Sequence, residues 1–204
     1  MFSDPIIPWL LWVVHILSAL CVGVVLPGST AVNTTQPLSR RLHLTEALEK
    51  SVRTMGLVCG WVVVMRMVLA FLDRWFLWML PPAAQVAICG VLELSNGCIR
   101  LSTLGNEGTR FILAAAMLSL GGICVTLQTE SVAAGISLKL YFPGKLLQCS
   151  ISILLACLLQ PMCFQQETEN WLLPTALGAV IGVMSIASLR ICKKRSRIPA
   201  MVGV

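Results

Sequence analysis

The sequence predicts an all-α integral membrane protein, a polytopic helical bundle with discontinuous or re-entrant helices. Three observations point there. Of 204 residues, 57% are hydrophobic and only 12% charged, about half the charged share of a soluble domain. Several apolar runs approach the roughly twenty residues that a helix needs to cross a bilayer. One of the apolar stretches is broken by Glu93-Leu-Ser-Asn-Gly-Cys-Ile-Arg100. That segment puts a carboxylate, an amide and a guanidinium where lipid is expected. Charged groups at bilayer depth are costly and face a cavity or a partner.

The net charge of +6 is explained by the membrane, not by nucleic acid. Five of the fifteen Lys and Arg residues fall between Arg190 and Arg197, after the last apolar run. Arg40, Arg41, Lys50 and Arg53 follow the first run. Basic clusters of this kind mark cytoplasmic loops and attract anionic headgroups. The lipid bilayer is therefore the partner that the composition requires. Seven of the nine cysteines lie in or beside apolar segments, where free Cys acts as a small hydrophobe. No C-x-x-C or zinc spacing occurs, and neither a metal nor a cofactor is expected.

In chain order, Ile6 to Leu26 reads as the first span, with Trp9 and Trp12 at its interfacial end. It lacks the basic start and small-residue cleavage site of a signal peptide. His15, alone in mid-span, reads as a packing residue. Pro27 to Gln36 is turn-rich. Leu44, Ala47, Leu48, Ser51-Val52 and Met55 then recur at helical spacing. They predict a cytoplasmic amphipathic helix leading into a second span, Met55 to Phe71. Arg66 interrupts that span and either snorkels toward Asp73 and Arg74 or pairs inside. Trp75, Phe76 and Trp78 read as an interfacial helix end that Pro81-Pro82 stops.

Ala83 to Leu94 is too short to cross. Ser95-Asn96-Gly97 has turn chemistry, so a helical hairpin with these residues at its tip is the simplest reading. An ordinary loop between spans is the other. Thr109 to Leu127 is the next helix, weakened by Gly121-Gly122. Thr126, Gln128, Thr129, Glu130 and Ser131 predict a second polar break, after which Ala133 to Leu140 resumes. Paired interrupted segments are the sequence pointer to a transporter binding site. Lys139 to Lys145 reads as a basic turn, Leu146 to Leu159 as a span, and Gln160 to Asn170 as an outer loop. Trp171 to Ile191 reads as the last span. Charge distribution puts the N-terminus outside and the C-terminus in the cytoplasm. The division is 1–36, an N-terminal span and loop; 37–160, the central membrane domain; and 161–204, a last span with its basic tail.

Four ordered stretches carry a family resemblance: Leu44 to Met55 running into a span, Gly90-Val-Leu-Glu-Leu-Ser-Asn-Gly-Cys98, Gly121-Gly-Ile-Cys-Val-Thr-Leu-Gln128, and Lys139-Leu-Tyr-Phe-Pro-Gly-Lys-Leu-Leu-Gln148. Between Leu44 and Leu159 the chain resembles a Gate domain, also called the nucleoside-recognition domain. Within that family it is most similar to the C-terminal half of YlbJ-type sporulation integral membrane proteins. The resemblance implies a permease-like helical fold related to concentrative nucleoside transporters, in the cell membrane of an endospore-forming bacterium. YlbJ-type proteins carry two such domains and this chain has room for one. That implies a homo-oligomer or pairing with another Gate-domain subunit.

Two functions follow. In the first, the chain is a permease for a small polar solute. Glu93 and Glu130 would bind a cation, proton or hydroxyl, and Ser95, Asn96, Thr126, Gln128 and Thr129 would supply hydrogen bonds. Lys145 or Arg100 would neutralise a carboxylate, and Gly97 would let backbone approach the ligand. In the second, the chain is a structural subunit of a sporulation complex. Then Glu93 with Arg100, or Glu130 with Lys139, would pair inside the bundle, as Arg66 would with an acid. An enzyme is not expected, since no nucleophile–base set, metal cluster or phosphate loop is present.

Overall fold

The computed structural model describes residues 2, 4–26, 44–132, 141–164 and 172–196. Nearly all of these are helical, and none of them forms a strand. Helix α1, Ile6–Val25, begins where the Asp4 carboxylate accepts the Ile6 amide at 2.9 Å. It ends at Leu26, which is extended, the conformation favoured for the residue before a proline. Its buried residues Ile7, Leu11, Val14 and Ser18 recur every three or four positions, so one face packs inward. Trp9, Trp12 and Leu20 stay exposed on the other.

Helix α2 runs unbroken from Leu44 to Trp75, 32 residues or about 48 Å. The amphipathic helix and second span expected as two parts are thus one rod, longer than a bilayer core of about 30 Å. Only Met65 and Leu69 on it are buried. The stripe Leu44, Leu48, Val52 and Met55 faces outward. An exposed Lys50–Glu46 pair at 3.4 Å braces the first turns. A 3-10 turn, Leu77–Met79, closes this arm. Pro82 then starts the next helix, because a proline has no amide to lose in a first turn.

Four short helices follow: α3 Pro82–Leu92, α4 Leu94–Leu101, α5 Glu107–Leu120 and α6 Gly122–Val132. Asn106 caps α5, its side-chain oxygen accepting the Thr109 amide at 2.9 Å. Helix α7, Tyr141–Cys163, takes in Tyr141 to Lys145, so that part of the expected basic turn is helical. Gln160 to Cys163, expected as loop, also lie in α7. Helix α8, Leu172–Ser196, extends through most of the basic tail.

The core lies between α1, α5 and α7. Cys149 Sγ donates to the Ala116 carbonyl, Ser152 Oγ to the Ala115 carbonyl and Lys145 Nζ to the Ser119 carbonyl. Rising numbers on α7 meet falling numbers on α5, so the two helices are antiparallel. Phe111, fully buried, packs on Phe164 with ring centroids 5.8 Å apart. Helix α8 lies against α7, where Ser150 Oγ donates to the Gly178 carbonyl at 2.5 Å. Hydroxyls bonded to backbone in this way join apolar helices without leaving a polar group unpaired.

Four stretches are long and apolar enough to cross a membrane: Ile6–Val25, Leu44–Trp75, Glu107–Val132 and Tyr141–Pro161. Pro82–Leu92 and the apolar part of α8, Pro174–Ala187, are shorter.

Candidate functional site at two helix breaks

The first break is one residue, Glu93. It is extended, with φ −147° and ψ 118°, between α3 and α4. Its carboxylate caps α4, accepting the Ser95 amide at 3.0 Å, the Asn96 amide at 2.7 Å and Asn96 Nδ2 at 2.5 Å. The first amides of a helix have no internal partner, and an anion there also meets the positive end of the helix dipole. Glu93 is therefore buried yet satisfied. Ser95, Asn96 and Gly97, expected at the tip of a turn, instead form the first turn of α4. The correction has a simple cause: an acidic side chain two and three residues ahead of two amides makes a better stop than Ser-Asn-Gly makes a loop. Gly97 serves close approach rather than a turn. A Cβ on it would lie 2.7 Å from the Gly90 nitrogen and 2.7 Å from Met117 Sδ.

Two side-chain bonds tie this motif to α2. Arg66 Nη1 donates to Asn96 Oδ1, and Arg100 Nη2 pairs with Asp73 Oδ2. Asn96 and Arg100 are one turn apart on α4, and Arg66 and Asp73 two turns apart on α2, so each helix offers one face. Arg66 thus reaches the amide rather than an acid, and Arg100 pairs with Asp73 rather than Glu93. Asp73 was read only as marking a helix end. Its partner lies 27 residues away, and no local signal announces it.

The second break is Gly121-Gly122, with φ of +76° and +79°. Two consecutive left-handed residues are tolerated because neither has a Cβ. The break was expected five residues later, at Thr126 to Ser131, but those residues lie inside α6. The physical reason is local: Thr126, Thr129 and Ser131 each donate their hydroxyl to the carbonyl four residues back. Such back-bonding lets a hydroxyl sit inside an apolar helix. Trp61 Nε1 also donates to Ser131 Oγ at 2.9 Å, linking α2 to α6. Gln128 Nε2 lies 3.2 Å from Cys124 Sγ and 3.5 Å from the Val58 carbonyl. With Thr129, Val58 and Val132 it lines an open groove of about 320 Å³.

The two breaks meet. The Cβ position of Gly122 lies 3.2, 3.3 and 3.5 Å from the carbonyls of Gly90, Val91 and Leu92. These are the last carbonyls of α3, so the end of one interrupted helix rests on the start of another. Glu93, Ser95, Asn96, Gly97 and Arg66 gather at this joint. The remaining expected site residues do not. Glu130 is exposed on α6, without a partner among the described residues. Lys145 bonds the Ser119 carbonyl and Gln148 Oε1, and Thr126 lines a separate cavity beside it. Lys139 lies outside the described residues. No group of three metal-binding side chains occurs among the described residues.

Four stretches long and apolar enough to cross, with helices and no strands among the described residues, are the architecture of a multi-pass membrane protein. No family model, curated protein or solved structure matches the chain.

Proposed function

We propose that the chain is a permease-like membrane protein that handles a small polar solute at the joint between its two interrupted helices. One observation carries this reading: breaks separated in sequence, at Glu93 and at Gly121-Gly122, lie against each other. Interrupted helices leave backbone groups without helical partners, which inside a bilayer is tolerated only within protein or beside a cavity. Paired interruptions of this kind build solute and ion sites in secondary transporters. Glu93 is the buried carboxylate at this joint. On this reading the likeness to Gate domains is one of kinship. The chain then works in a bacterial cell membrane in connection with sporulation, paired with a second Gate-type half.

The test is thermal stability of purified protein across nucleosides, amino acids, dipicolinate and small cations, for wild type and Glu93→Gln. A ligand of the native state stabilises it by mass action. A stabilising solute that loses its effect in the variant supports the reading. Unchanged response in the variant refutes it.

A second reading, a structural subunit without transport, is favoured by the occupancy of the polar groups. Both oxygens of Glu93, the Asn96 amide and the Arg100 guanidinium already have partners. On that reading Glu93→Gln lowers stability or assembly, and no solute restores it.

A further inference from the structure

A cavity of about 380 Å³ lies between α3, α5, α6, α7 and α8. That volume is within the range of small-ligand sites, about 300–1,000 Å³. Its walls are apolar. Ile112, Ala116 and Leu120 of α5 face Leu146, Cys149 and Ile153 of α7, two rows at helical spacing on antiparallel helices. The cationic group on its lining is Lys145. Because Lys145 bonds the Ser119 carbonyl, it stands at the end of the cavity marked by Leu120 and Leu146. From there the α7 row runs to Ile153, about 12 Å deeper.

The ammonium of Lys145 has only long contacts, 3.4 Å to the Ser119 carbonyl and 3.4 Å to Gln148 Oε1. No carboxylate pairs with it among the described residues. Capping the C-terminus of α5 accounts for part of its placement, but leaves a whole positive charge beside an apolar chamber. Lys145 is also in the second turn of α7, near the end of a membrane-crossing stretch that begins at Tyr141. A charge at that depth meets headgroups, not acyl chains. Phe142 and Ile123, both substantially exposed, form part of the rim, so the chamber is open near its Lys145 end.

We propose that this cavity is a binding site for an anionic phospholipid, one acyl chain filling the apolar rows and the phosphate resting on Lys145. A charged headgroup complements the unpaired ammonium. The open rim beside Phe142 and Ile123 leaves room for the second chain to stay outside the chamber. The proposal rests on the cavity and Lys145 alone and is independent of the reading given to the helix breaks.

Native mass spectrometry of the full chain, delipidated in mild detergent and titrated with phosphatidylglycerol or phosphatidylcholine of identical chains, tests it. Wild type should retain one phosphatidylglycerol about fivefold more tightly, the weight of one lysine beside an anionic headgroup. Lys145→Gln should bind both lipids equally, and Lys145→Arg should restore the preference. Ala116→Phe, or the milder Ala87→Leu, should weaken both lipids by filling the chamber. Helical content by circular dichroism shows that each variant is folded. Equal retention of both lipids by wild type overturns the proposal, as does a preference that survives Lys145→Gln. A Lys145-dependent site that takes oleate but not phosphatidylglycerol overturns it too.

Discussion

The tight crossing of α3 and α4 predicts an ordered set of glycine effects. A methyl on Gly97 would press into the Gly90 backbone, inside van der Waals contact with its Cα and 2.7 Å from its nitrogen. Backbone held in two helices cannot step aside, so Gly97→Ala should destabilise by about 2–3 kcal/mol, the upper range for overpacking. The nearest atoms to a methyl on Gly90 belong to one side chain, Met117. Met117 Sδ is inside contact distance and Met117 Cγ is 2.5 Å away. Methionine is flexible and adapts, so Gly90→Ala should cost less. The cycle with Met117→Ala separates the two cases. Gly90→Ala and Met117→Ala should couple, the pair costing about 1–2 kcal/mol less than their sum. Gly97→Ala and Met117→Ala should be closer to additive, because the backbone clash remains. Gly56→Ala and Gly60→Ala are the controls. Their Cβ positions meet nothing within 4 Å, so alanine's better helix propensity should stabilise by up to about 1 kcal/mol. Equilibrium unfolding in mixed detergent–dodecyl sulfate micelles, followed by circular dichroism, measures each. A Gly97→Ala protein as stable as Gly56→Ala would refute the close crossing.

Gly121→Ala should destabilise by about 1 kcal/mol through its positive φ alone, since its Cβ would meet only Val125 side-chain atoms at 3.8 and 3.9 Å. The same unfolding assay reads this, and Gly122→Ala should cost more, because three carbonyls crowd its Cβ. Asp73→Ala should loosen α4 from α2 by leaving the half-buried Arg100 unpaired. Faster proteolysis or hydrogen exchange across Leu94–Leu101, with α5 and α7 unchanged, is the expected outcome.

Spans were legible because hydropathy and length determine them. Ile6 to Leu26 was expected to cross and Ile6–Val25 is helical. The breaks were legible in kind and misplaced in position, each for a local reason. Glutamate is not among the preferred N-caps, so Ser95-Asn96-Gly97 carries the stronger turn signal. The carboxylate nevertheless reaches two amides and an amide side chain. Gly121-Gly122 looked like a weak point within one helix, whereas Thr126 to Ser131 looked like a break. Hydroxyls that bond back to their own helix reverse that ranking. Met117 gave no signal, and neither Asp73 nor Gly90 announced the contact it makes. Their importance comes from neighbours 27 residues away in the one case and from the crossing of α3, α4 and α5 in the others.

The cap on α4 also constrains any solute that would use Glu93. Its two oxygens hold two amides and one side-chain amide, so a ligand must displace these donors or bind beside them. Displacement would uncap the first turn of α4. That frees Asn96, and with it the Arg66 contact that anchors α4 to α2. The loss of one N-cap is worth about 0.5–2 kcal/mol, an amount that binding of even a weak solute can offset. A solute taking the carboxylate would therefore loosen α4 from α2 while leaving the Arg100–Asp73 pair as a hinge point. Under the permease reading, binding at Glu93 would therefore be coupled to the position of α4. Under the structural-subunit reading the same bonds have no competitor, and α4 stays fixed.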